Sequence, residues 1–155
     1  LTSVISAVPV SADASRVVNF TIQGGTICSA TNYTALFLNI TNLGGAPASY
    51  TVYLYDANGN TVSPPGLTNL DDSYRPSTIN PATSTTSLGK STELYRVVYG
   101  GGNAACSLKP YYGKIVVEDG GPLIATGEIK GIIATVTPNV VWSDLPISIN
   151  NGQSF

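Results

Sequence analysis

Short runs in which apolar and polar residues alternate with a period of two dominate this chain, separated by clusters of Gly, Pro, Asn and Ser. Alternation of that kind predicts half-buried β-strands, and no amphipathic helix longer than about two turns is visible. Residues 16–23 (RVVNFTIQ) place Val18, Phe20 and Ile22 on one face and Val17, Asn19 and Thr21 on the other. Residues 33–42 (YTALFLNITN) group Leu36, Leu38 and Ile40, with Phe37, Asn39 and Thr41 opposite. In 49–56 (SYTVYLYD), Tyr50, Val52 and Leu54 point inward and Thr51, Tyr53 and Tyr55 outward. Asn58-Gly59 then supplies a hairpin turn that tolerates positive φ, and Thr61-Val62 begins the return strand. Residues 63–89, with four prolines and little alternation, predict a long surface connection carrying at most one short strand. Regular pattern resumes at 92–99, 114–118, 124–137 and 140–149, with glycine-rich turns at 100–102 and 120–122. The pattern, about eight strands in total, is the signature of an all-β sandwich or barrel.

The first fourteen residues stand apart from this head, which occupies 15–155. Val4, Ser6, Val8, Val10 and Ala12 alternate with Ile5, Ala7 and Pro9, and no charge occurs before Asp13. Fully extended, the arm reaches about 45 Å, more than the width of its own domain. Two readings follow. The arm is either the first strand of its own sandwich or a donor strand that completes the sandwich of the next subunit, with Val4, Ile5, Val8 and Val10 as anchors. Strand addition satisfies main-chain hydrogen bonds while alternate side chains enter pockets. Because such a contact is head to tail, its repetition gives an open filament.

Composition narrows the function classes. Charged residues make up 10% of the chain, against about 25% in typical domains, and Ser, Thr, Asn, Gly and Tyr take their place. The net charge of −2, with seven scattered Lys and Arg, offers no basic stripe for nucleic acid. No apolar run approaches the about 18 residues of a membrane span. A start at Leu1 with no Met anywhere predicts secretion through a cleaved signal peptide. Cys28 and Cys106 are far apart in sequence; outside the cell such a pair closes a long loop as a disulfide, whereas in a reducing compartment they are buried thiols.

The stretch FLNITNLGGAPASYTVYLYDANGNTV resembles the central hairpin of immunoglobulin-like surface modules of archaea and bacteria, in which a strand ends in Asn-x-Gly, loops through Ala-Pro-Ala and returns as Tyr-Thr-Val-x-Leu. The expected fold is therefore an immunoglobulin-like sandwich of seven to nine strands with an extended N-terminal strand. Arm and head together resemble the donor-strand-linked surface filaments of archaea, the threads and bundling pili, and more loosely bacterial type I pilins. That resemblance implies an extracellular, cell-surface homopolymer active in adhesion, biofilm or cell–cell contact, and one that carries N-linked glycans. Three sequons stand here: Asn19-Phe20-Thr21, Asn32-Tyr33-Thr34 and Asn39-Ile40-Thr41. The strand pattern puts Asn19 and Asn39 on outward faces and Asn32 in a loop.

Little in the sequence points to catalysis, a cofactor or a metal. Without histidine, neither a Ser-His-Asp nor a Cys-His arrangement can form. Asp71-Asp72 and Glu118-Asp119 lie beside turn residues, where solvated surface charge accounts for them. Residues 56–60 (DANGN) start like a calcium loop, but Thr61 and Leu67 occupy the positions where that loop needs Gly and Glu. The competing expectation is a monomeric carbohydrate-binding or adhesive module. Its platform would be Tyr53 and Tyr55, with a second tyrosine group at Tyr95, Tyr99, Tyr111 and Tyr112.

Overall fold

The computed structural model describes residues 15–22, 28–63, 77–100, 106–133 and 140–155. Val4, Ile5, Val8 and Val10 lie outside these residues. Nine strands form among them: β1 Arg16–Thr21, β2 Asn32–Asn42, β3 Ala48–Tyr55, β4 Thr61–Val62, β5 Ser84–Ser87, β6 Thr92–Tyr99, β7 Tyr112–Asp119, β8 Leu123–Ile133 and β9 Val140–Ile147. They make two antiparallel sheets. In the first, β1 pairs β7, β7 pairs β3, and β4 and β5 follow one another along the far edge of β3; the second runs β6-β2-β8-β9.

The pairs β2·β6 in one sheet and β3·β7 in the other are the B–E and C–F pairs of an immunoglobulin-like sandwich. The flanks differ, since β1 lies beside β7 and β8 beside β2. The stretch expected as a central hairpin is instead an arch: β2 and β3 are consecutive but belong to opposite sheets. The local hairpin is β3–β4, where Leu54 pairs Val62 and Tyr55 pairs Thr61 across a turn with Gly59 at φ +87°.

The core lies between the sheets and follows the period-two faces. Val18, Phe20 and Ile22 from β1 and its continuation meet Leu36, Leu38 and Ile40 of β2, Tyr50, Val52 and Leu54 of β3, and Ile115 and Val117 of β7 in one cluster. Gly113 is where bulk has to be absent. It pairs with Phe20, and a Cβ there would stand 2.5 Å from the Phe20 ring and 2.8 Å from the Tyr53 carbonyl oxygen. At the bottom of the sandwich Phe155 and Leu123 exchange two main-chain hydrogen bonds of 2.9 and 2.8 Å.

A second apolar cluster sits on the outward side of the β6-β2-β8-β9 sheet: Tyr33, Ala35, Phe37, Val98 and Ile132, all buried. Phe37 does point away from the main core, as its alternation predicts, yet it is 3% exposed. The guanidinium of Arg96 lies 4.9 Å and the ammonium of Lys130 5.5 Å from its ring centre.

The arch between β2 and β3 is held by one side chain. Asn42 is fully buried; its amide donates to the carbonyls of Ala46 (2.8 Å) and Ser87 (3.2 Å), and its oxygen accepts the Gly44 N–H (2.9 Å). The Asn-x-Gly-x-Ala-Pro-Ala pattern thus has a cause: Asn42 stands in for main-chain partners that the turning chain cannot supply. Asn42→Ala should cost about 2–4 kcal/mol in urea unfolding, because three groups lose their partner. Leu43→Ala, at an exposed position of the same arch, should change stability by less than about 0.5 kcal/mol.

Cys28 and Cys106 are bonded, closing a loop 78 residues long in sequence. The bridge ties the chain after β1 to a 3-10 turn, Cys106–Leu108, that leads toward β7. Gly100, at φ +91°, packs against it, with a would-be Cβ 3.1 Å from the Cys28 sulfur. Replacing both cysteines by Ser should lower stability by about 4 kcal/mol in the same urea assay, mainly through the freed unfolded chain.

Candidate functional site

The two long sides of the sandwich are finished differently. On the side of β6 and β3, residues 77–79 run along the outer edge of β6. Thr78 and Ile79 N–H groups donate to the Leu94 carbonyl (2.8 and 3.0 Å), the Leu94 N–H donates to the Thr78 hydroxyl (2.8 Å), and Ser77 both donates to the Arg96 carbonyl and accepts its N–H (2.9 and 2.8 Å). Ile79 fills the gap between the sheets at 2% exposure. The chain then crosses, through Ala82 N–H to the Val52 carbonyl (2.8 Å), and becomes β5. Among the described residues of this connection, β5 is the short strand, and it closes this side.

On the opposite side, between β1 and the chain just after β9, lies a hollow of about 430 Å³ lined by Asn19, Phe20, Thr21, Tyr112 and Ser148. Among the described residues β1 pairs only β7. Ile22 donates to Tyr111, so the even-numbered residues of β1 face β7 with their main-chain groups. By alternation the N–H and C=O groups of Val17, Asn19 and Thr21 point to the open edge. The other edge strand, β9, carries Pro146 opposite Glu128. A proline in a sheet turns its nitrogen outward, so that edge lacks a donor there.

The outward face of the first sheet carries the exposed tyrosines. Register sets Asn19 opposite Lys114 and Lys114 opposite Tyr53; one step on, Thr21, Tyr112 and Tyr55 lie in line. Tyr55 and Tyr112 stack with ring centres 4.7 Å apart and planes 14° from parallel. The Lys114 ammonium sits 4.9 Å from the Tyr53 ring centre and 5.8 Å from that of Tyr55. Tyr53 and Tyr55 thus face outward as expected. The second tyrosine group divides: Tyr111 and Tyr112 are exposed, but Tyr95 and Tyr99 are in the core.

The three sequon asparagines differ. Asn19 is exposed on the outward face of β1. The Asn39 amide is occupied at both ends, donating to Thr126 (3.3 Å) and accepting from Arg96 (3.0 Å). Asn32 is the half-buried first residue of β2 rather than a loop residue, with its carbonyl accepting the Ser29 N–H at 2.6 Å.

Charged groups serve the scaffold. Asp56 accepts from the N–H groups of Asn58 and Asn60 (both 2.8 Å) and from the Asn60 side chain (3.0 Å), so its carboxylate fastens the hairpin turn. Those bonds, that of the Asn60 side chain foremost, hold its pKa below the ordinary range. Glu118 receives the hydroxyls of Ser84 (2.6 Å) and Thr51 (2.5 Å), joining β7 to β5 and β3, and these likewise lower its pKa. Among the described residues no group of three or more His, Cys, Asp or Glu side chains could hold a metal ion, and no helix is long and apolar enough to cross a membrane.

Burial drives the phenols of Tyr50, Tyr95 and Tyr99 well above their usual pKa, with the Glu93 charge adding to the effect at Tyr50. Ionisation of these groups belongs to the unfolded chain, whose phenols titrate at about 10. Their contribution to stability is therefore complete below about pH 10 and is lost as pH rises above it. A tyrosinate absorbance titration should show the three ionising only together with loss of the fold, in a step that vanishes when the titration is run in strong denaturant.

Comparison with known proteins finds no matching family model, no matching curated protein and no matching solved structure.

Proposed function

We propose that this chain is the structural subunit of an extracellular, pilus-like filament, polymerising head to tail by insertion of its N-terminal arm into the next subunit. The reading rests on one observation above all. One side of the sandwich is laced shut by residues 77–87, whereas on the other the edge is β1, a strand whose outward main-chain groups have no partner strand among the described residues. An unpaired edge is a site at which another chain adds a strand. Residues 1–14 carry the alternating apolar pattern that such an edge accepts, and β1 is the better acceptor because Pro146 interrupts β9.

Other features agree with a secreted polymer that acts in adhesion or cell–cell contact rather than as an enzyme. A long-loop disulfide suits an oxidising compartment. Among the described residues, Asp56 fastens a turn and Glu118 joins strands. The sparsely charged, Ser/Thr/Asn-rich exterior suits N-linked glycans as partners. A monomeric carbohydrate-binding module is the second reading, favoured by the stacked Tyr55–Tyr112 pair with Lys114 across it.

Negative-stain electron microscopy of the full chain should show thin filaments repeating at one domain length. Deleting residues 1–12 should abolish them and leave folded monomers, and added arm peptide should occupy those monomers. Val17→Pro removes one outward N–H of β1 without touching its bonds to β7, and should block assembly while leaving thermal unfolding of the monomer close to that of the deletion. Filaments that survive Val17→Pro would overturn β1 as acceptor. A chain that stays monomeric at full length would overturn the polymer and leave the tyrosine module.

A further inference from the structure

The outward face of the first sheet brings together three features that the sequence keeps apart: an exposed sequon, an aromatic ring with one open face, and a hollow between them. Asn19 and Thr21, the two essential residues of the sequon, are consecutive outward positions of β1. Their direct cross-strand neighbours on β7 are Lys114 and Tyr112. Both are non-hydrogen-bonded pairs, the kind that brings side chains closest. Tyr112 is also the diagonal neighbour of Asn19, at about 7–8 Å between positions, a gap that one sugar ring bridges.

Tyr112 has two ring faces. Tyr55 covers one of them in a near-parallel stack at 4.7 Å. Since register sets Tyr112 between Tyr55 and Thr21, its other face looks toward β1, and there, at the edge of the sandwich, the hollow of about 430 Å³ is lined by Asn19, Thr21 and Tyr112 together with Phe20 and Ser148. That volume falls within the about 300–1,000 Å³ of small-molecule sites.

We infer that the hollow beside Asn19 is the seat of the chain's own N-linked glycan, whose first sugar lays its C–H face on the open face of Tyr112. This rests on the reading that the chain is N-glycosylated and adds where and how the glycan lies. It also ranks the sequons. Asn19 is modified in preference to Asn39, whose amide is held by Thr126 and Arg96. The seat is compatible with strand addition at β1, because an added strand runs in the plane of the sheet whereas the Asn19 side chain projects out of it. The stacked pair Tyr55–Tyr112 thereby serves the molecule's own sugar rather than a foreign one.

The test uses the full chain secreted from an N-glycosylating host, with glycopeptide mass spectrometry to read occupancy. Carbon–proton NMR correlation spectra of the intact glycoprotein then read the sugar. Occupancy of Asn19 above that of Asn39 is expected, with the C–H protons of the first sugar displaced upfield by the Tyr112 ring current. Tyr112→Ala should keep the occupancy and lose the displacement; Tyr112→Phe should keep both; Thr21→Ala should remove the glycan and leave the tyrosine signals of a folded chain. An unmodified Asn19 overturns both the glycan reading and the seat. A modified Asn19 whose sugar signals are the same in wild type and Tyr112→Ala overturns the seat alone.

Discussion

Burial of alternate side chains from β2 and β3 in a shared core is the contact on which the remainder of the molecule is hung. Leu36, Leu38 and Ile40 come from one sheet, Tyr50, Val52 and Leu54 from the other, and none of the six is measurably exposed. Because β2 and β3 are consecutive, the chain has to cross the core between them, and Asn42 makes that crossing sharp by bonding the backbone on both sides of it. Once the arch is set, each sheet grows by nonlocal pairing: β6 and β8 onto β2, β5 and β7 onto β3. A single buried amide thus converts an alternating pattern into a two-layer architecture.

Two sheets stacked in this way have two long sides, and each is a place where core and main chain meet water. The connection from residue 77 to β5 treats one side as a packing problem, with Ile79 as the plug and Ser77 and Thr78 as surrogate ladder partners for β6. The other side is left to β1 and the chain following β9, where Phe20 approaches the surface of the hollow. The same asymmetry gathers the exposed aromatic face and the accessible sequon at one edge. Polymer contact and glycan would then converge on a single strip of the molecule, leaving the opposite side free.

How much of this was legible in the sequence depended on whether the two faces of each strand differ. In 16–23 and 49–56 they do, and the inward residues could be named without ambiguity. In β6 they do not: Leu94 and Val98 are as apolar as Tyr95, Val97 and Tyr99, so alternation could not say which side was the core, and Tyr95 and Tyr99 were expected at the surface. The same two-sidedness in β2 hides the second cluster around Phe37, since a strand buried on both faces is a continuous apolar run. The arch was mistaken for a hairpin because a five-residue link fits either, and only the tertiary bonds of Asn42 decide. Asn58-Gly59 was readable because everything that fixes that turn lies within five residues. The partnership of Tyr112 with Thr21 and Asn19 lay beyond reach, because register across strands about ninety residues apart is set by the whole sheet.

The disulfide has a mechanical meaning besides its effect on stability. When the chain is pulled by its N-terminal end against the rest of the sandwich, tension runs through the six β1–β7 pairs, which lie side by side and yield together under shear. Should they part, the first covalent barrier along the chain is Cys28, and the pull passes directly to Cys106. The 78-residue span between them, some 270 Å of contour at about 3.4 Å per residue, is withheld from the load. That span contains β2 to β6 and the Asn42 arch, so a chain overstretched in this way lengthens only outside the loop and keeps within it the strands on which its sheets are rebuilt when the force is released.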